Sequence, residues 1–226
     1  MRHRIKVDFV SDISCTWCAV GLANLNTALA SLQGEVEPEI SFEPFELDST
    51  LPPGGENLIE HLERKYGMDR DGVEGVLART RAAGDRAGFA FLLDDSTRTY
   101  NTFDIHRLLH WAKIQGKQKP LKEALLKAHL SEGRDTGSHD VMIEVAGEVG
   151  LSTSEARTVL EKGSYGEVVR QVEQKWLAAG ITAVPAIILD DRYLLQGAQP
   201  PEAYISAFQK IIADRSEKAK NEAEAS

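Results

Sequence analysis

Residues 8–25, DFVSDISCTWCAVGLANL, hold both cysteines of the chain, Cys15 and Cys18, two residues apart. Just before them Ile5, Val7 and Phe9 alternate with polar neighbours and Val10 extends the run, which is a strand pattern. After them Leu22, Leu25, Leu29 and Leu32 recur at helical spacing, and Gly34 can end that helix. The C-x-x-C therefore falls where a strand passes into a helix. Unsatisfied amides and the dipole at a helix start favour a thiolate over a thiol at Cys15, which makes it the better nucleophile at neutral pH. Cys18, one turn further on, is within reach to close a ring disulfide and is expected to be the more buried, resolving thiol.

Working outward, EISFEPFEL (residues 39–47) reads as a second strand, with Ile40 and Phe42 on one face and Pro44 marking an edge or a bend. From LPPGGEN (residues 51–57) to about Gly180 the spacing becomes helical throughout. Successive stripes are Ile59, Leu62 and Tyr66, then Val73, Val76, Leu77 and Thr80, then Ile105, Leu108, Leu109 and Ala112. Leu121, Ala124, Leu125 and Ala128 follow, then Met142, Val145, Ala146 and Val149. A capping box of Ser152 and Glu155 opens a further helix, and Val169, Val172 and Trp176 mark the last, which Gly180 should close. Strand chemistry returns in PAIILDDRYLLQG (residues 185–197), two apolar runs about an Asp-Asp turn, which predicts a hairpin. A closing helix with Pro201 in its first turn carries Tyr204, Ala207, Phe208 and Ile211 on one face.

The order is β-α-β, a helical block, then β-β-α. The flanking pieces are each too short to bury a core alone. The expected architecture is α/β: a discontinuous thioredoxin-like domain of residues 1–50 and 181–215, and an all-α subdomain of residues 51–180 inserted in it. Residues 216–226 lack an apolar stripe and are expected to form a disordered tail.

The chain has 226 residues, 42% hydrophobic and 27% charged, with a formal charge of −9. That charge argues against a general nucleic-acid or anionic-membrane binder, whose partners are themselves negative. The start lacks a secretory h-region, and no apolar run is long enough to span a membrane, so a cytoplasmic protein is expected. A lasting structural disulfide is out of place there, and so closely spaced a pair would add little loop entropy as a staple. Three readings of the pair remain at this point: a redox dithiol, half of a zinc site completed by His106 and His110, or two small core residues. In GITAVPAIIL (residues 180–189), Pro185 directly precedes an apolar strand. A cis Val184–Pro185 bond there would leave the backbone of Val184 free to pair with an extended substrate segment.

The segments SDISCTWCAVG, YNTFDIHRLLHWA, GITAVPAIIL and QGAQPPEAYISAF span nearly the whole chain, and with them the sequence resembles the DsbA family of thioredoxin-fold oxidoreductases, its FrnE-like cytoplasmic branch in particular. The resemblance implies a thiol–disulfide oxidoreductase, running as reductase, isomerase or dithiol oxidase. It makes Cys15 the attacking and Cys18 the resolving cysteine, and Pro185 the cis-proline that faces them. The branch usually has proline after the first cysteine. Thr16 stands there instead, adding an amide and a hydroxyl that can each hydrogen-bond a thiolate. Trp17 is placed to form an apolar collar around the site.

Kappa-class glutathione transferases and 2-hydroxychromene-2-carboxylate isomerases share the layout but typically have serine at the attacking position. They keep a glutathione-dependent isomerase or transferase open as an alternative, with Asn101 and His106 as cleft residues, although a capping or surface role is the simpler one for each. A zinc or protein-binding module is a third reading. The expected partners are thiol- or disulfide-bearing proteins or small molecules. No metal and no tightly bound cofactor are expected, and glutathione is the expected co-substrate if there is one.

Overall fold

The computed structural model describes residues 2–224. Strand β1 (His3–Ser11) leads into helix α1 (Thr16–Ser31) and strand β2 (Val36–Pro44). A helical block follows, with α2 (Leu58–Tyr66), α3 (Arg70–Ala87), α4 (Phe103–Ile114), α5 (Gln118–Leu130), α6 (His139–Glu148), α7 (Thr153–Glu161) and α8 (Gly166–Ala178). The chain ends in the hairpin β5 (Ala186–Leu189) and β6 (Tyr193–Gln196) and the helix α9 (Pro201–Glu224). The sheet order is β2-β1-β5-β6, with β1 parallel to β2 and antiparallel to β5. This is the thioredoxin-like arrangement with a helical insertion that the sequence predicts.

Strand β1 is central because it is apolar on both faces: Val7, Phe9 and Val10 are fully buried. Its register sets Phe9 opposite Phe42 of β2 and Ile187 of β5, and the Phe9 and Phe42 rings lie 5.7 Å apart. β2 is an edge strand, where Pro38 and Pro44 remove no shared ladder bond. The main buried cluster draws on both parts of the chain. Ile5, Phe9, Leu25 and Phe208 pack in one core with Leu108, Leu121, Leu125 and Val145 of the helical block. Ile59, Val73, Leu77 and Leu93 form a smaller cluster beneath α2 and α3.

The helical block also contains a two-stranded sheet, β3 (Glu56–Asn57) paired with β4 (Arg98–Thr99), which the sequence reading does not contain. Two-residue strands are too short to show an alternation, and Asn57 doubles as the side-chain cap of α2, accepting from the Ile59 and Glu60 amides. Tyr66 is 57% exposed although its spacing puts it on the apolar stripe, because it is the last residue of its helix. Residues 216–224, expected as part of a disordered tail, continue α9 as helix. Ala, Glu and Lys are strong helix formers, and Lys218 and Glu222 pair at i, i+4, so no apolar stripe is needed to extend the last turns. The rest of that expected tail, residues 225–226, lies outside the described residues.

The hairpin turns on Asp190 and Asp191, both with φ of 56°. Arg192 N donates to Leu189 O across them at 3.1 Å. Aspartate tolerates this left-handed conformation better than most residues. Here each carboxylate also has a cation, Lys6 on Asp191 and Arg215 on Asp190. Among the described residues no helix is long and apolar enough to cross a membrane.

Candidate active site

Both cysteines are free thiols at the junction of β1 and α1. Cys15 is the N-cap of α1, with extended backbone angles, and its Sγ accepts from Cys18 N at 3.3 Å. Cys15 is 6% exposed and Cys18 0%, so the first thiol is the one nearer to solvent. Thr16 brings no donor to Cys15 Sγ, contrary to the sequence expectation. An N-cap side chain accepts from the second or third helical amide, and Thr16 occupies the first helical position while Cys18 occupies the third. Trp17, between the two cysteines in the chain, is 42% exposed.

Val184 and Pro185 come to the cysteines from 169 residues away. The Val184–Pro185 peptide is cis, and the Cys15 thiol donates to Val184 O at 3.7 Å. The proline is held from two sides. Its carbonyl accepts from Gly197 N at 2.8 Å, and its ring lies over Gly21, where a Cβ would come within 3.2 Å of Cγ. The absence of a side chain at position 21 is what lets the cis-proline loop approach α1.

Asp12, three residues before Cys15, is fully buried and ties three segments together. Its Oδ2 accepts from Leu47 N at 2.7 Å, and its Oδ1 accepts from Ser14 N at 3.4 Å and lies 3.6 Å from His106 Nε2. Burial alone would push the carboxyl up. The His106 ring, the Leu47 amide and the Thr102 hydroxyl outweigh that and hold it at about 2. Asp12 thus fixes the loop that presents Cys15.

The two residues expected to line a cleft make no hydrogen bond to the cysteines. Asn101 is held in the turn that leads into α4, one residue before the N-cap Thr102: its Oδ1 accepts from Phe103 N at 3.0 Å and its Nδ2 donates to Ser49 O at 3.1 Å. His106 is neither surface nor cap. It is 4% exposed, with Nε2 3.1 Å from Phe45 O, and it supports Asp12. His110, one turn on, packs its ring against Tyr165 at 5.1 Å, so the two histidines serve different neighbours.

Two buried polar side chains act on Cys18 from beneath, Lys122 of α5 and Tyr204 of α9. Burial pushes the Cys18 thiol up, and its hydrogen bond with Cys15 pushes the same way. The Lys122 side chain, from α5 and 1% exposed, works against them. Sequence reading misses Asp12, His106 in this role, and Lys122. The available signal for Lys122 is a polar row at i, i+4 and i+11 on α5 (Gln118, Lys122 and His129), which ordinarily marks a solvated face.

Comparison with known proteins agrees with this geometry. The family model described as DSBA-like thioredoxin domain matches residues 6–209. The protein YwbO of Bacillus subtilis (strain 168) is 26% identical over 215 residues, covering 95% of this chain and 98% of its own. A probable DsbA oxidoreductase of Streptomyces coelicolor superposes with a TM-score of 0.84 at 32% identity, over 91% of this chain and 89% of its own. The cytosolic disulfide reductase DsbM of Pseudomonas aeruginosa shares the fold, with a TM-score of 0.62 at 18% identity over 92% of this chain and 98% of its own. With a C-x-x-C capping α1, a proline loop against it and a family match over most of its length, the chain belongs to the DSBA-like thioredoxin domain family of oxidoreductases.

Proposed function

We propose that the protein is a thiol–disulfide oxidoreductase in which Cys15 attacks and Cys18 resolves. The observation that carries this reading is the Cys15 sulfur itself. It sits at a helix N-cap, accepts the Cys18 amide and faces Val184 O. As a thiol it donates to Val184 O, and the Cys18 amide and the helix dipole support the negative charge it carries when it attacks. Cys15 thiolate adds to one sulfur of a substrate disulfide, expelling the other as a thiolate and leaving a mixed disulfide. Cys18 then attacks Cys15 Sγ, forming the Cys15–Cys18 bond and releasing the second substrate thiolate. Two electrons pass from the protein dithiol to the substrate, and the reverse sequence oxidises a dithiol.

Among the described residues the Val184 amide has no hydrogen-bond partner, which leaves it for the backbone of an extended substrate. Trp17 supplies an apolar contact beside the same place. The Pseudomonas reductase with this fold has been solved with glutathione, and we take glutathione as the small thiol that exchanges with the pair. The FrnE-like cytoplasmic branch fits such a role, because a glutathione pool would hold the pair mostly as the dithiol.

The test is a pair of variants assayed for reduction of a protein disulfide. Cys18→Ser should accumulate mixed disulfides that are released by added thiol, and Cys15→Ser should lose exchange altogether. Retained exchange in Cys15→Ser would sink the mechanism.

A further inference from the structure

Gln118, Lys122, Leu125 and His129 follow one another at i, i+4, i+7 and i+11 along α5, and all four are buried. This face of the helix is fastened to β2. Gln118 Nε2 donates to Phe42 O at 2.8 Å, and its Oε1 accepts from Phe42 N at 3.0 Å. One turn on, Lys122 Nζ lies 6.0 Å from the centre of the Phe42 ring and has no hydrogen-bond partner among the described residues. The Phe42 ring packs tilted against that of Phe9, and both belong to the same buried cluster as Cys15 and Cys18.

A buried amine without a partner is unfavourable unless it answers a charge. The ionisable groups within electrostatic reach of it are Cys18 and Cys15 at the start of α1 and Asp12 in the loop after β1. Asp12 makes no ion pair with it, being engaged by two backbone amides and the His106 ring. Cys15 is served by the Cys18 amide. Cys18 is the group whose charge changes: beside the Asp12 backbone amide and the buried Tyr204 hydroxyl of α9, it is neutral as a thiol and becomes an anion when it attacks.

We infer that Lys122 is the positioning residue of the resolving step, its ammonium being the counter-charge that holds the Cys18 thiolate. This rests on the reading in which Cys18 resolves the mixed disulfide. The Cys18 proton passes to solvent, and the thiolate's electron pair forms the Cys15–Cys18 bond. The bond from Cys15 to the substrate breaks, and the substrate sulfur leaves with its electrons. Burial lowers the Lys122 ammonium and raises the Cys18 thiol, whereas each ion favours the other. The helical insertion therefore contributes to the chemistry of the pair as well as covering it.

The experiment loads Cys15 with an aromatic thiol as a mixed disulfide and follows its release by Cys18 against pH. Lys122→Met keeps the volume and removes the charge. It should slow release at neutral pH roughly tenfold and move the pH profile up by about one unit. Coupling of two charges is reciprocal. In the unaltered protein the Lys122 side chain, followed by NMR, should therefore titrate at higher pH in the dithiol than in the disulfide form. A Lys122→Met profile that overlays the wild type overturns the inference. So does an unchanged Lys122 titration between the two forms, a measurement that stands even if the variant does not fold. Failure of wild-type Cys18 to release the aromatic thiol at all would overturn the exchange reading instead.

Discussion

Replacing Asp12 with asparagine removes the charge that fixes the loop before Cys15 while keeping its shape. The folded carboxyl titrates at about 2 against an ordinary value of 3.8. A gap of just under two pH units corresponds to about 2.5 kcal/mol of stability at neutral pH. The sign follows from the depressed value. The contribution is complete above the unfolded-state range near 4 and is lost as pH falls through about 2. The asparagine side chain would also turn an NH₂ towards either the Leu47 or the Ser14 amide, setting donor against donor and adding about 1 kcal/mol. Urea unfolding at neutral pH should therefore show a loss of about 2–4 kcal/mol for Asp12→Asn. The two proteins should converge as the pH approaches 2, where the wild-type carboxyl also takes a proton. A loss below about 1 kcal/mol, or a difference that persists unchanged down to about pH 2, would refute the account of Asp12 as a charged tie.

Gly21→Val places a branched side chain where even a Cβ comes within 3.2 Å of Pro185. It should cost about 1–3 kcal/mol by overpacking and slow disulfide exchange by moving the cis-proline loop; unchanged exchange kinetics would show that the loop position is not set from α1. His129 is buried with Nδ1 on the Thr136 hydroxyl, and burial lowers its ring to about 4. A ring held neutral in the fold contributes stability above its ordinary 6.5, and that stability is lost as pH falls towards 4, by up to about 3 kcal/mol. His129→Gln should flatten the urea midpoint across this window, and an equally steep wild-type-like slope in the variant would place its origin elsewhere.

What the sequence displays is what neighbours in the chain decide. The Cys15–Cys18 spacing, the flanking alternation and stripe, and each of the block helices are local patterns. The position of Pro185 before an apolar strand is local too, and only the meeting of Val184 with Cys15 and of Pro185 with Gly21 is not. Asp12, His106 and Lys122 owe their roles to contacts between segments far apart in the chain, and each has a plainer local reading. Asp12 reads as a loop residue, His106 as one polar position on an apolar helix, and Lys122 as part of a solvated face. Thr16 shows the opposite limit. Its donors are legible, but which amide reaches Cys15 depends on where the helix begins, and a shift of one residue changes the answer.

The Asp-Asp hairpin tip has a bearing on how the molecule can be handled. Lys6 and Arg215 both reach it, and Arg215 also donates to Arg4 O at 2.8 Å. The first strand and the last helix are thereby gathered at the pole of the sheet opposite Cys15, since β1 runs from that pole towards the cysteines and β5 runs back. Polypeptide joined ahead of β1 or beyond α9 leaves the molecule on the far side from Trp17 and Val184. The chain can be tethered to a surface, a label or another domain at either end with its reactive face still turned outward.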